Sequence, residues 1–146
     1  MDKKILIPLE NSPTDNVILE HIRPKVKLTG AELILVHVAD GYVARLQEEL
    51  NLEDSEEIQK DRQYLEQRKK ELTGHGFKVK VFLEGGEPAD KIITIAEKEK
   101  CDLIAMATHG HRLIKDIVLG SVAENIRHRT SIPVLMIRAP IHESKE

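Results

Sequence analysis

Five short apolar runs, separated by stretches of helical character, constrain this chain more than any other feature. Lys4 to Leu9 (KILIPL), Ala31 to Val38 (AELILVHV), Leu103 to Ala107 (LIAMA) and Pro133 to Arg138 (PVLMIR) are apolar almost throughout and too short for helices. The first three read as strands buried in a parallel sheet, and Pro133 to Arg138 as the fifth and last strand. Phe77, Val79, Val81 and Leu83 alternate with Lys78 and Lys80, which gives the third strand in chain order, with one wetter face. Pro8 has no N–H to donate, so strand pairing is expected to stop near it.

The segments between these runs carry helix signals. Ser12-Pro13-Thr14-Asp15 reads as a helix start, with Ser12 as the N-cap, Pro13 in the first position and Asp15 three residues after the cap. Ile18, Ile22 and Val26 form its buried stripe, Pro24 is expected to kink or split it, and Gly30 ends it. Ser55 to Leu72 has a thin stripe (Ile58, Leu65, Leu72) and is expected to be solvated over most of its surface. Its early turns are acidic and its late turns basic, which suits the macrodipole, and Gly74-His75-Gly76 closes it. A third helix follows Pro88 and buries Ile92, Ile93, Ile95 and Ala96; a fourth runs from Ser121 to Arg129 with Val122, Ala123 and Ile126 inward. Residues 42–57 fit no single assignment. The alternation of strands and helices predicts an α/β fold, a doubly wound five-stranded parallel sheet with helices on both faces. One domain over residues 1–140 and a flexible tail over 141–146 are expected.

In such sheets a ligand sits beyond the carboxyl ends of the strands, where strand order reverses. Here those ends are Pro8 to Ser12 and Ala107 to Gly110. The second leads through a polar turn at Thr108-His109-Gly110 to Gly120-Ser121 and a helical pattern. A buried strand, a glycine loop and a glycine-serine helix start are parts suited to holding phosphate, because backbone N–H groups and the positive end of a helix dipole meet there.

Composition narrows the ligand class. A net charge of −3 provides no global basic field for nucleic acid, and an aromatic fraction of 3% leaves few rings on which bases could stack. The single cysteine, Cys101, suits a reducing compartment and reads as a small packed side chain. The stretch from Met1 to the polar Glu10-Asn11-Ser12 is too short for a membrane span or a signal peptide, so a cytoplasmic location without membrane partners is expected. His109 and His111 resemble metal ligands but lack a third, and there is neither a Walker loop nor a G-x-G-x-x-G after a strand. No metal site is expected in the protein itself.

Four segments together, KKILIPLENS, AELILVHVAD, EGGEPADKIITIAEKEKCDLIAMATHG and LGSVAENIRHRTSIPVLMIR, resemble the universal stress protein family over roughly residues 2–139. The resemblance implies an adenine nucleotide alpha-hydrolase-like sheet with strand order 3-2-1-4-5. The family's nucleotide-binding branch has a glycine, two residues, a glycine, nine residues, a glycine, then serine or threonine. Gly110, Gly120 and Ser121 match the later part of that pattern, with nine residues between the glycines, while Ala107 stands where the first glycine is usual. Glu10 stands where an aspartate is usual, its carboxylate implied to contact the ribose hydroxyls. The implied nucleotide site comprises Pro8, Leu9, Glu10, Val38, Met106, Ala107, Gly110, His111, Arg112, Gly120, Ser121 and Val122, with Pro8 and Val38 as aliphatic walls. The resemblance further implies ATP, taken with Mg, and a homodimer through the fifth strand, Pro133 to Arg138. It points to a regulatory, stress-response module rather than an efficient enzyme; a slow ATPase and a nucleotide-free dimeric scaffold are the alternatives.

Overall fold

The computed structural model describes residues 3–39, 56–109 and 114–139, with the main chain only at residues 57, 108, 109, 114–121 and 139. In chain order the elements are β1 (Lys4–Pro8), α1 (Thr14–Thr29), β2 (Glu32–Ala39), α2 (Glu56–Gly74), β3 (Val79–Gly85), α3 (Pro88–Lys98), β4 (Leu103–His109), α4 (Ile114–Arg129) and β5 (Val134–Ala139). The five strands form one parallel sheet in the order β3-β2-β1-β4-β5. This is the doubly wound arrangement and strand order expected from the sequence. The tail beyond Ala139 and most of residues 42–57 lie outside the described residues.

Alternation along the strands builds a core on each face. Ile5, Ile7, Leu33, Leu35, Leu103 and Ala105 point to one side, where they meet Ile18 and Ile22 of α1 and Leu65 and Leu72 of α2. Leu6, Ile34, Val36, Ile104 and Met106 point to the other, against Ile92, Ile93 and Ala96 of α3 and Ala123 and Ile126 of α4. Both faces of the central strands are therefore dry, which is why their sequences read as unbroken apolar runs.

Four local expectations are corrected. Helix α1 runs unbroken through Pro24. That residue is on the exposed side, where water can satisfy the carbonyl that its missing N–H leaves open. The helix starts at Thr14 with Pro13 in the cap position, and the Ser12 hydroxyl accepts the Thr14 N–H at 3.3 Å from one residue further out. Helix α4 begins at Ile114 rather than Ser121. Residues 114–129 contain no proline, and their single glycine, Gly120, costs a helix only about 1 kcal/mol relative to alanine. Strand β4 also runs two residues past Ala107, with Thr108 and His109 paired to Arg138 and Ala139 of β5.

Cys101 is 6% exposed at the start of β4, and burial pushes its thiol up to about 11. It is a packed core group, as its sequence position implied.

Candidate functional site

The site lies where strand order turns around, between β1 and β4. The direction of each residue of β1 decides its shape. Leu9 donates its N–H to Val36 of β2 at 2.7 Å, and Asp102, just before β4, donates to the Lys4 carbonyl at 2.8 Å. Odd residues of β1 thus face β2 and even ones face β4, because the side of the strand alternates with each residue. Pro8 faces β4 and has no N–H to give it. The β1–β2 register continues to Pro8 and Val36, whereas the β1–β4 register ends at Leu6 and Ile104 although both strands continue. Past that point the two strands have separate ends, with a crevice between them at the topological switch point.

The implied site residues distribute around this crevice by strand and face. Pro8, Leu9 and Glu10 are at the end of β1, Val38 is near the end of the adjoining β2, and Met106 and Ala107 are in β4. Met106 belongs to the core on the α3–α4 face, and Val38 and Val122 pack against the same cluster. Leu9 and Ala107 point into the opposite core, so the Ala107 methyl is packed among core side chains. Gly110, His111 and Arg112 lie outside the described residues. Gly120 and Ser121 are in the interior of α4, one or more turns beyond the free N–H groups at its start. Among the described residues, no group of three or more His, Cys, Asp or Glu side chains is placed to hold a metal. Nor is any helix among them long and apolar enough to cross a membrane.

Sequence reasoning missed the polar cluster beneath the β1–α1 loop. Asp15 is the only buried charged residue among those described, at 1% exposure. Its carboxylate accepts the backbone N–H groups of Glu10 at 2.9 Å, Asn11 at 2.8 Å and Ser12 at 3.4 Å. The Tyr64 hydroxyl of α2 donates to it as well, and Tyr64 in turn accepts from Arg68 Nε at 3.0 Å. Burial, reinforced by the Asp15 hydrogen bond, holds the Tyr64 phenol well above its ordinary range, so it stays a donor. Beside this, His37 Nδ1 donates to the Leu9 carbonyl at 2.8 Å, and its Nε2 is 3.2 Å from Asp61. Asp61 also accepts from the Asn11 side chain at 3.2 Å. Asn11 itself has φ of 66°, a left-handed conformation that asparagine tolerates better than most residues.

Helix α2 supplies the outer half of this cluster because of its spacing. Asp61, Tyr64, Leu65, Arg68 and Leu72 fall on one stripe at helical period. Leu65 and Leu72 are buried in the core, and the polar members meet the loop. The stripe looked thin in sequence because half of it is polar.

Comparison with known proteins agrees with this architecture. The Universal stress protein family matches residues 1–138. Universal stress protein MJ0577 of Methanocaldococcus jannaschii is 34% identical over 155 aligned residues, covering 94% of this chain and 96% of that protein. Its solved structure superposes with a TM-score of 0.77 over 94% of this chain and 96% of that one, at 37% identity. Two more distant structures share the fold: a universal stress protein in complex with cAMP (17% identity, TM-score 0.67, 94% and 97% covered) and one from Archaeoglobus fulgidus in complex with dAMP (20%, 0.68, 92% and 97%). With the fold, the strand order and a match over nearly the whole length in accord, the chain belongs to the universal stress protein family.

Proposed function

We propose that this chain is a cytoplasmic, ATP-binding regulatory module in which nucleotide occupancy acts through a homodimer. The observation that carries the reading is the crevice between β1 and β4, flanked by Glu10 on one strand end and continued by the Gly110–Gly120–Ser121 spacing from the other. The adenine nucleotides bound by two structural relatives support the ligand class. Val38 and Val122, partly buried against the core cluster that contains Met106, offer an aliphatic wall for a base in a chain with few aromatic rings. Ala107 is compatible with a site built for glycine, because its methyl is packed in the core on the α1–α2 face.

Phosphate held at Gly120 and Ser121 needs their N–H groups released from the helix ladder. Unwinding α4 from Ile114 to Leu119 releases them, and Gly120 is the residue at which that helix is cheapest to interrupt. Magnesium would arrive with the phosphates. The exposed Leu135 and Met136 on β5, at the edge of the sheet, support a homodimer through that strand.

Native mass spectrometry of freshly purified protein tests the reading. A dimer carrying a mass near that of ATP on each chain is expected. Chains that are bare on purification and stay bare after incubation with Mg-ATP contradict it.

A further inference from the structure

The β1–α1 loop would carry Glu10 to the nucleotide, yet its conformation depends in part on α2, a helix that contributes nothing to the implied site. Leu9 to Ser12 contains a left-handed asparagine, a conformation that persists only where its surroundings fix it. What fixes it is Asp15 of α1, which accepts the loop N–H groups, together with two contacts that α2 makes. Tyr64 holds the Asp15 carboxylate in place beneath the N–H groups of Glu10, Asn11 and Ser12. Asp61 bridges the Asn11 side chain and His37, whose other ring nitrogen holds the Leu9 carbonyl. The Leu9 carbonyl and the N–H groups of Glu10, Asn11 and Ser12 are thereby each linked through one intermediary side chain to this helix.

We propose that Asp61 and Tyr64 are positioning residues for the nucleotide site: by fixing the Leu9–Ser12 loop they set where Glu10 stands, so that docking of α2 controls nucleotide affinity. The inference rests on the nucleotide reading above and deepens it. It makes α2 the input through which a partner or a change in the helix adjusts occupancy of a site that it does not touch. Neither side chain is among the residues of the implied site, so their effect on binding is indirect.

Tyr64→Phe removes the hydroxyl while keeping the ring in its packing, and Asp61→Ala removes the bridge to Asn11 and His37. Gln67→Ala, on the exposed side of the same helix, is the control. Amide hydrogen exchange at Glu10 and Asn11, measured without ligand, is expected to quicken about tenfold or more in both test variants and not in the control. Affinity for Mg-ATP is expected to fall by about tenfold in each, at temperatures where both remain folded. Lower thermal stability with unchanged exchange at these amides overturns the inference, because α2 then only holds the fold together. Wild-type binding kept in full by both variants also overturns it while leaving the nucleotide reading standing. A wild-type protein that takes no Mg-ATP overturns both.

Discussion

Replacing Asp15 with alanine is expected to lower the unfolding free energy by roughly 3–5 kcal/mol, because four donors lose their charged acceptor at once. The side chain is 1% exposed and accepts from three backbone amides and the Tyr64 hydroxyl. Its loss leaves those donors buried or half-buried without an acceptor, each at a cost of about 1–3 kcal/mol before relaxation. It also releases the left-handed turn at Asn11 and the end of α2 that docks on it. For a chain of this size the expected fall in Tm is on the order of 10 °C, measured by calorimetry or circular dichroism. Ser12→Ala, which removes only a 3.3 Å hydroxyl contact to the Thr14 N–H, serves as the comparison and should cost about 1 kcal/mol or less. A similar small loss for Asp15→Ala would mean that water replaces the carboxylate and that the cluster does not organise the loop.

The second large effect concerns the ligand. Gly120→Val is expected to weaken Mg-ATP binding by tenfold or more, about 1.4 kcal/mol at the least. A valine side chain would occupy the space through which the backbone approaches a phosphate. By helix propensity the same change favours α4, because Gly120 is in its interior and valine is the better helix former by a few tenths of a kcal/mol. Valine would also favour the closed helix over the unwound one that frees the Gly120 and Ser121 amides. The two terms act together against binding. Unimpaired binding in this variant would move the phosphate elsewhere, to the free N–H groups where α4 actually begins.

The architecture was largely legible because β1, β2 and β4 are apolar runs buried on both faces and the sequence of β3 alternates. Strand β5 keeps an apolar run although Leu135 and Met136 are exposed at the sheet edge. Lys4–Pro8, Glu32–Ala39 and Val134–Ala139 differ from the expected boundaries by a residue or so. The interruption of pairing at Pro8 was also legible, since a missing N–H acts wherever the strand places it. Errors arose where local signals were weak compared with tertiary context. Pro24 does not split α1, because the lost hydrogen bond is on the wet side. Gly120-Ser121 looked like a helix start, but nothing in residues 114–119 opposes helix strongly enough to keep the start there. Asp15 was read as a first-turn acid, whereas it closes a cluster with a tyrosine 49 residues away. Tyr64, Asp61 and His37 carry no motif, and only the packing of α2 against β2 and the β1–α1 loop brings them together. That polar half of the α2 stripe left its apolar signal thin, and no pattern of single residues could have shown what it faced.

The central claim is that the crevice between β1 and β4 takes an adenine nucleotide. Isothermal titration of Mg-ATP into nucleotide-free wild-type protein tests it most directly. Saturable binding below millimolar nucleotide, with one site per chain, is the result expected. Absence of any binding heat at millimolar Mg-ATP, with the protein folded, would contradict it.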